Sequence, residues 1–250
     1  MGICESRCIW ATDVLYMNDA SEYVYAQSVI KDVISAYSVK HPEFAQYKYI
    51  FERNPLNVNL EVYAACFCER KDLLSQWRAY ANHGTGYAIE FSWQSLLRSF
   101  PVNRLGRVEY EENEQKNILK QMLEYLSRDI TLRQEPGEQF YSKIAAGLMN
   151  ALLFVRAFLK APAFREEHEW RIISFPKSDE REELFRASKN MVVPYCKLPL
   201  GEPYNKFPIT KIIIGPTLNP TAAQRSLRRF LNSVGMNTVD IESSPIPLKV

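Results

Sequence analysis

Residues 209–241 constrain the fold more tightly than any other stretch of this chain. Ile209, Ile212, Ile213 and Ile214 make a short apolar strand, and Gly215-Pro216 stops it. Asn219 then supplies a cap, Pro220 opens a helix, and Gly235 closes it before a second strand over 238–241. A strand, a helix and a strand joined by such short connections imply a right-handed crossover between parallel neighbours. The chain is therefore expected to hold a mixed sheet, with a strand–helix–strand unit over 209–242.

Upstream, the hydrophobic periodicity alternates between helix and strand without an internal repeat. Tyr25, Val29, Val33 and Tyr37 fall four apart, which predicts a helix over 21–39 with Ser21 as its cap. Strands are expected over 60–68, 86–91, 107–110 and 169–175. Two helices, over 114–133 and 139–159, are parted by Glu135-Pro136-Gly137, and residues 112–161 read as a helical insertion. The charged stretch 176–190 reads as an exposed loop or frayed helix. No composition shift marks a boundary, so residues 1–250 are expected to form a single α+β domain.

Composition narrows the function classes. The formal charge is +2, with 24% charged and 46% hydrophobic residues, which fits a globular chain and not a strongly basic nucleic-acid binder or a disordered tail. The most apolar run, 144–159, carries Asn150 and Arg156 and is short for a bilayer, so it reads as a buried helix. The first ten residues lack an apolar signal core, and the expected location is the cytoplasm, with no membrane contact. Five cysteines, an odd number, agree with reduced thiols. Cys4, Cys8, Cys66 and Cys68 are too irregularly spaced for a zinc knuckle, and no metal is expected. Phosphate-cradling glycine loops, a nucleophile elbow and the zinc-protease motif are all missing.

Four stretches place polar residues inside apolar strand patterns. The first runs from Trp10-Ala11-Thr12 to Asn18, Asp19 and Glu22, which either lock the entry to a helix or hydrogen-bond a polar ligand. In the second, Trp77 and Tyr80 sit three apart beside Arg78; they either pack in the core or stack on a planar ring while Arg78 holds a phosphate. The third is Glu167-His168-Glu169-Trp170-Arg171. As a strand, it projects Glu167, Glu169 and Arg171 to one face, where Arg171 can hold a crowded carboxylate ionised. That face is either solvated or suited to general-base work or a grip on ribose hydroxyls. The fourth is the strand end at Gly215-Pro216 and the helix after it, whose Arg225, Arg228 and Arg229 form a basic stripe, solvated or in contact with RNA.

Taken in order, these stretches resemble the bacterial domain-of-unknown-function family 2971. The shared pattern is Trp10-Ala11-Thr12 with Asn18-Asp19 and Glu22, and Cys66-Phe67-Cys68 with Asp72, Trp77 and Tyr80-Ala81. It continues through Gly86, Ile89 and Phe91, then Glu167-His168-Glu169-Trp170-Arg171-Ile172-Ile173, Ile212-Ile213 with Gly215-Pro216, and Ser244 with Ile246-Pro247. The pattern also looks like the ADP-ribosyltransferase group, in particular the branch that modifies nucleic acids.

That second likeness implies an ADP-ribosyltransferase-like sheet and NAD as co-substrate. By resemblance, Glu169 binds the nicotinamide ribose and supports the cation formed there, Glu167 steers the acceptor, and Trp77 or Tyr80 packs on nicotinamide. The implied setting is a toxin or phage-defence system, with transfer to a nucleic acid or protein, or hydrolysis of NAD. The chain departs from the pattern at its start: no histidine precedes Trp10, leaving Arg7, a partner chain or a second copy to complete the site. That departure keeps two alternatives open. One is a non-catalytic module binding a nucleotide or a partner. The other is a nuclease or RNA-binding protein using Arg78 with Arg225, Arg228 and Arg229.

Overall fold

The computed structural model describes residues 2–17, 20–44, 61–81, 85–100, 104–131, 138–175, 180–188, 191–201 and 207–247. In chain order, α1 is Gly2–Ser6, β1 Cys8–Asp13, α2 Ala20–Lys40, β2 Tyr63–Cys68, α3 Leu74–Tyr80 and β3 Tyr87–Phe91. There follow α4 (Trp93–Ser99), β4 (Leu105–Arg107), α5 (Glu112–Thr131), α6 (Glu138–Arg156) and β5 (Glu169–Ser174). The chain ends with β6 (Leu184–Ser188), β7 (Met191–Pro199), β8 (Ile209–Ile214), α7 (Pro220–Ser233) and β9 (Asp240–Ser243). The fold class is α+β, as expected. Six strands form a sheet in the order β4-β5-β2-β1-β7-β6, and three form a second in the order β3-β8-β9.

Contacts along the chain define two compact units, although composition marks no boundary. The first comprises Met1–Trp10, Phe67–Leu105 and Lys197–Val250, the second Ala11–Cys66 and Gly106–Cys196.

In the first unit, β8 pairs antiparallel with β3 and parallel with β9, so 209–242 forms the crossover that its sequence implies. Asn219 Oδ1 accepts from Ala222 N at 3.0 Å, Pro220 occupies the first turn, and Gly235 takes φ +75° after the last turn. Leu227 and Leu231 of α7 pack on Ile212 and Ile214 of β8.

In the second unit, α2, α5 and α6 share an apolar core. The predicted stripe Val29–Val33–Tyr37 is buried, and a neighbouring stripe, Ala26–Ile30–Ile34, is buried beside it. The two together give α2 a wide apolar face that covers both Leu119 and Leu123 of α5 and Leu152 and Leu153 of α6. Helix α2 begins at Ala20, so Ser21 lies inside its first turn.

Two expectations change, and one strand is added to them. Residues 176–190 were expected to lack a strand, yet Leu184–Ser188 is β6, paired antiparallel with β7 from Leu184↔Tyr195 to Ser188↔Met191. An edge strand needs only one covered face, so Arg186 at its centre does not exclude it. The strand expected over 107–110 ends at Arg107, and Glu109 instead bridges Leu159. Strand β1 is not among those expected; it pairs with β2 through Thr12↔Ala64 and Asp13↔Tyr63. No helix among the described residues is long and apolar enough to cross a membrane.

Candidate functional site: a buried ionic centre

Strand β5 brings Glu169 and Arg171 to one face, as alternation requires. Both are buried, at 5% and 3% exposure. Arg171 grips Glu169 bidentately, with Nε to Oε1 at 2.7 Å and Nη2 to Oε2 at 2.9 Å. Its Nη1 donates to the Ala157 carbonyl at 2.7 Å, and Nη2 also reaches Glu22 Oε2 at 2.8 Å. Glu22 stands on the first turn of α2, so a residue 149 positions away completes the fork.

A second cation, Lys160, lies at the centre and is 2% exposed. Its Nζ meets Glu22 Oε1 at 2.7 Å, Glu167 Oε2 at 2.7 Å and Glu169 Oε2 at 3.0 Å. Three carboxylates and two cations thus share one site. Glu167 is not in the strand: it ends the 3-10 turn Pro162–Glu167, and His168 takes a left-handed conformation at φ +43° before β5 begins. The expectation that Glu167, Glu169 and Arg171 project from one strand is corrected on that point. Lys160, and not the strand pleat, draws Glu167 to Glu169.

The surrounding shell fixes these groups. Gln115, fully buried, donates Nε2 to the carbonyls of Glu109 (2.7 Å) and Lys160 (2.9 Å) and accepts from the Tyr25 hydroxyl at 2.8 Å. The Tyr110 hydroxyl accepts from Glu169 N at 3.0 Å. Burial pushes the Tyr110 hydroxyl up to about 12. Desolvation of its sulfur and the Glu169 charge push the Cys66 thiol, on β2, well above its usual value, although the residue as a whole is exposed. For Glu169, burial would raise the carboxyl, but Arg171 and Lys160 bring it down to about 2. Arg171 and Lys160 are themselves held above their ordinary values: burial opposes their charge, while Cys66, Glu169 and Glu22 around Arg171, and Glu169, Glu167 and Glu22 around Lys160, more than offset it.

Sequence reasoning singled out Glu22, Glu167, Glu169 and Arg171, and the structure brings all four together. It missed Lys160, whose one signal is a lysine closing the apolar run before Ala161-Pro162, and Gln115, which has none. Asn18 and Asp19 lie outside the described residues.

Trp77, Arg78 and Tyr80 belong to α3 in the first unit. Trp77 and Tyr80 do not form one aromatic face. Trp77 is buried, gives Nε1 to Asp72 Oδ1 at 2.7 Å and packs on Gly215, whereas Tyr80 is 59% exposed. Arg78 is exposed beside it. Arg7, the residue offered in place of the missing histidine, lies over the Phe207 ring.

The architecture and this centre define an α+β protein with a buried ionic site in its second unit. Residues 76–172 match the model of a family described as Protein of unknown function (DUF2971), which supports the family that the motifs indicated. The matched segment runs through Trp77, Lys160, Glu167, Glu169 and Arg171. No curated protein and no solved structure matches the chain.

Proposed function

We propose that the protein is a binding module for the ribose of a nucleotide, NAD or ADP-ribose, centred on Glu167 and Glu169. One observation carries this reading. Every carboxylate oxygen of the centre is bound to Lys160 or Arg171 except Glu167 Oε1, which has no hydrogen-bond partner among the described residues. The Glu167 side chain is 24% exposed, so this oxygen is an acceptor open to an entering hydroxyl. A rigid carboxylate whose other oxygen is anchored suits a sugar diol, which donates two hydroxyls and needs fixed acceptors. With three carboxylates to two cations the centre is net negative, which favours the cationic nicotinamide end of NAD over its diphosphate.

Binding without turnover fits best because both Glu169 oxygens are engaged by cations, so it is neither a free base nor a free nucleophile. The second reading is catalytic, and the ionised state of Glu169 favours it. The bond between ribose C1′ and nicotinamide nitrogen would break with its electron pair leaving on nicotinamide. Water or an acceptor hydroxyl or amine would then bond C1′ and release a proton, with Glu169 stabilising the ribosyl cation between the two events.

Titration calorimetry with NAD and with ADP-ribose, run beside an assay for released nicotinamide, tests both. The module predicts binding of both ligands, at least about tenfold weaker in Glu167→Gln, the loss of one hydrogen bond to a charged group, and no nicotinamide. Nicotinamide release by the unaltered protein that disappears in Glu169→Gln would establish the enzyme in its place. No binding of either ligand removes both readings.

A further inference from the structure

Between Glu202 and Asp240 the sequence holds no acidic residue, while Lys206, Lys211, Arg225, Arg228 and Arg229 fall within that span. A chain with 29 aspartates and glutamates among 250 residues would by chance place several there. Helix α7 lies inside this span. Its apolar side, Leu227 and Leu231, is committed to the sheet beneath. Its outer side presents Thr221, Arg225, Ser226 and Arg229, which with Asn219 and Ala222 line a shallow hollow at the surface.

The guanidinium groups of Arg225 and Arg229 are exposed, and neither has a hydrogen bond or an ion pair among the described residues. Strand β9 carries two acidic residues: Glu242 is held by Lys71 at 2.9 Å and by Lys211 at 2.8 Å, Asp240 lies opposite Lys211 in the ladder, and neither pairs with Arg225 or Arg229 among the described residues. Arg228 donates to the Asn237 carbonyl at 3.0 Å and adds its charge from the flank.

We propose that this outer face of α7 docks the phosphate backbone of a nucleic acid. Arg225 and Arg229 are one helical turn apart, a rise of about 6 Å. Two steps of about 3.4 Å each along a stacked strand span roughly the same distance, so two phosphates of one strand fall within reach of the two forks. Guanidinium groups take phosphate oxygens in pairs, and the hydroxyls of Thr221 and Ser226 are the further donors that backbone recognition uses. A lipid surface fits less well, because α7 has no apolar face left to insert. Contacts of this kind to the phosphate backbone hold the strand without regard to its sequence. The inference stands apart from the reading of the Glu169 centre, since these residues lie in the first unit.

Fluorescence anisotropy of a labelled 20-nucleotide oligoadenylate tests it, with the full chain and with Arg225→Gln/Arg229→Gln. Both substitutions are on the surface, and an unchanged circular dichroism melt shows that the fold is kept. The unaltered chain should bind, and its log K should fall linearly with log salt. The double variant should lose about 1.4 from that slope, two phosphates at about 0.7 each on a single strand. No binding by the unaltered chain at low salt overturns the proposal, as does an equal slope in the variant. So does tighter binding of a polyglutamate peptide than of the oligonucleotide, which would make the partner an acidic protein. Binding to vesicles of anionic lipid without binding to the oligonucleotide would do the same.

Discussion

Burial raises an acid, as it does the Tyr110 hydroxyl, and it pushes Glu169 the same way. Two cations within 3.0 Å reverse the sign and bring this carboxyl down to about 2. A carboxylate whose folded pKa lies below its unfolded value near 4.5 stabilises the fold above that pH and stops doing so as pH falls toward 2. The contribution at neutral pH is of the order of 3 kcal/mol. Urea unfolding should therefore show stability dropping between pH 5 and pH 2. In Glu169→Gln the protein should be less stable at pH 7 and that acid-side drop should be smaller. An equal drop in both proteins would mean that Glu169 is not held ionised by its neighbours. Glu22, Glu169 and Arg171 were legible because charged residues at strand or helix-start spacing have few places to go. Lys160 was not: a single lysine after an apolar run looks like a helix end, and only folding sets it among three carboxylates.

Helix α3 illustrates what an element does when its one large side chain is a structural anchor. Trp77 closes on Asp72, itself in a left-handed turn at φ +59°, and its ring lies against Gly215 at the end of β8. A Cβ built on Gly215 would stand 2.9 Å from Trp77 Cζ3 and 3.1 Å from the Gly86 carbonyl. That carbonyl already accepts from Gly215 N at 2.8 Å, so the backbone has no room to retreat. Gly215→Ala should destabilise the protein by about 1–3 kcal/mol, an overpacking cost. Chemical denaturation measures it, and Gly147→Ala, where nothing lies within 4 Å, should cost nothing comparable. The glycine and the tryptophan both belong to the motifs that the sequence displayed, but their spacing of more than a hundred residues hid that they touch. Helix α7 and strand β8 were legible because cap, proline and glycine are local signals. Strand β6 was not, since an edge strand covered on one face tolerates Arg186 and Ser188 and so lacks the alternation of a central strand.

At the scale of the whole chain, a ligand that binds only the folded protein adds to its stability. At a concentration of a hundred times Kd that gain is about 2.7 kcal/mol, which for a chain of this size raises Tm by roughly 5–10 °C. NAD or ADP-ribose should produce such a rise, and Glu167→Gln should reduce it; scanning calorimetry at fixed protein concentration decides. Charge is also distributed at this scale: a net +2 conceals a span around α7 with five basic residues and no acidic one. By itself the sequence determined what depends on near neighbours: the crossover over 209–242, the buried stripe of α2, the pairing of Glu169 with Arg171 along β5. Tertiary structure alone decided that Glu22, Gln115 and Lys160 converge on that pair, that Trp77 turns inward, and that the contacts gather into two units. The reason is physical. Periodicity and caps act over a few residues, whereas the cost of burying an unpaired charge is met only by partners that folding brings from far along the chain.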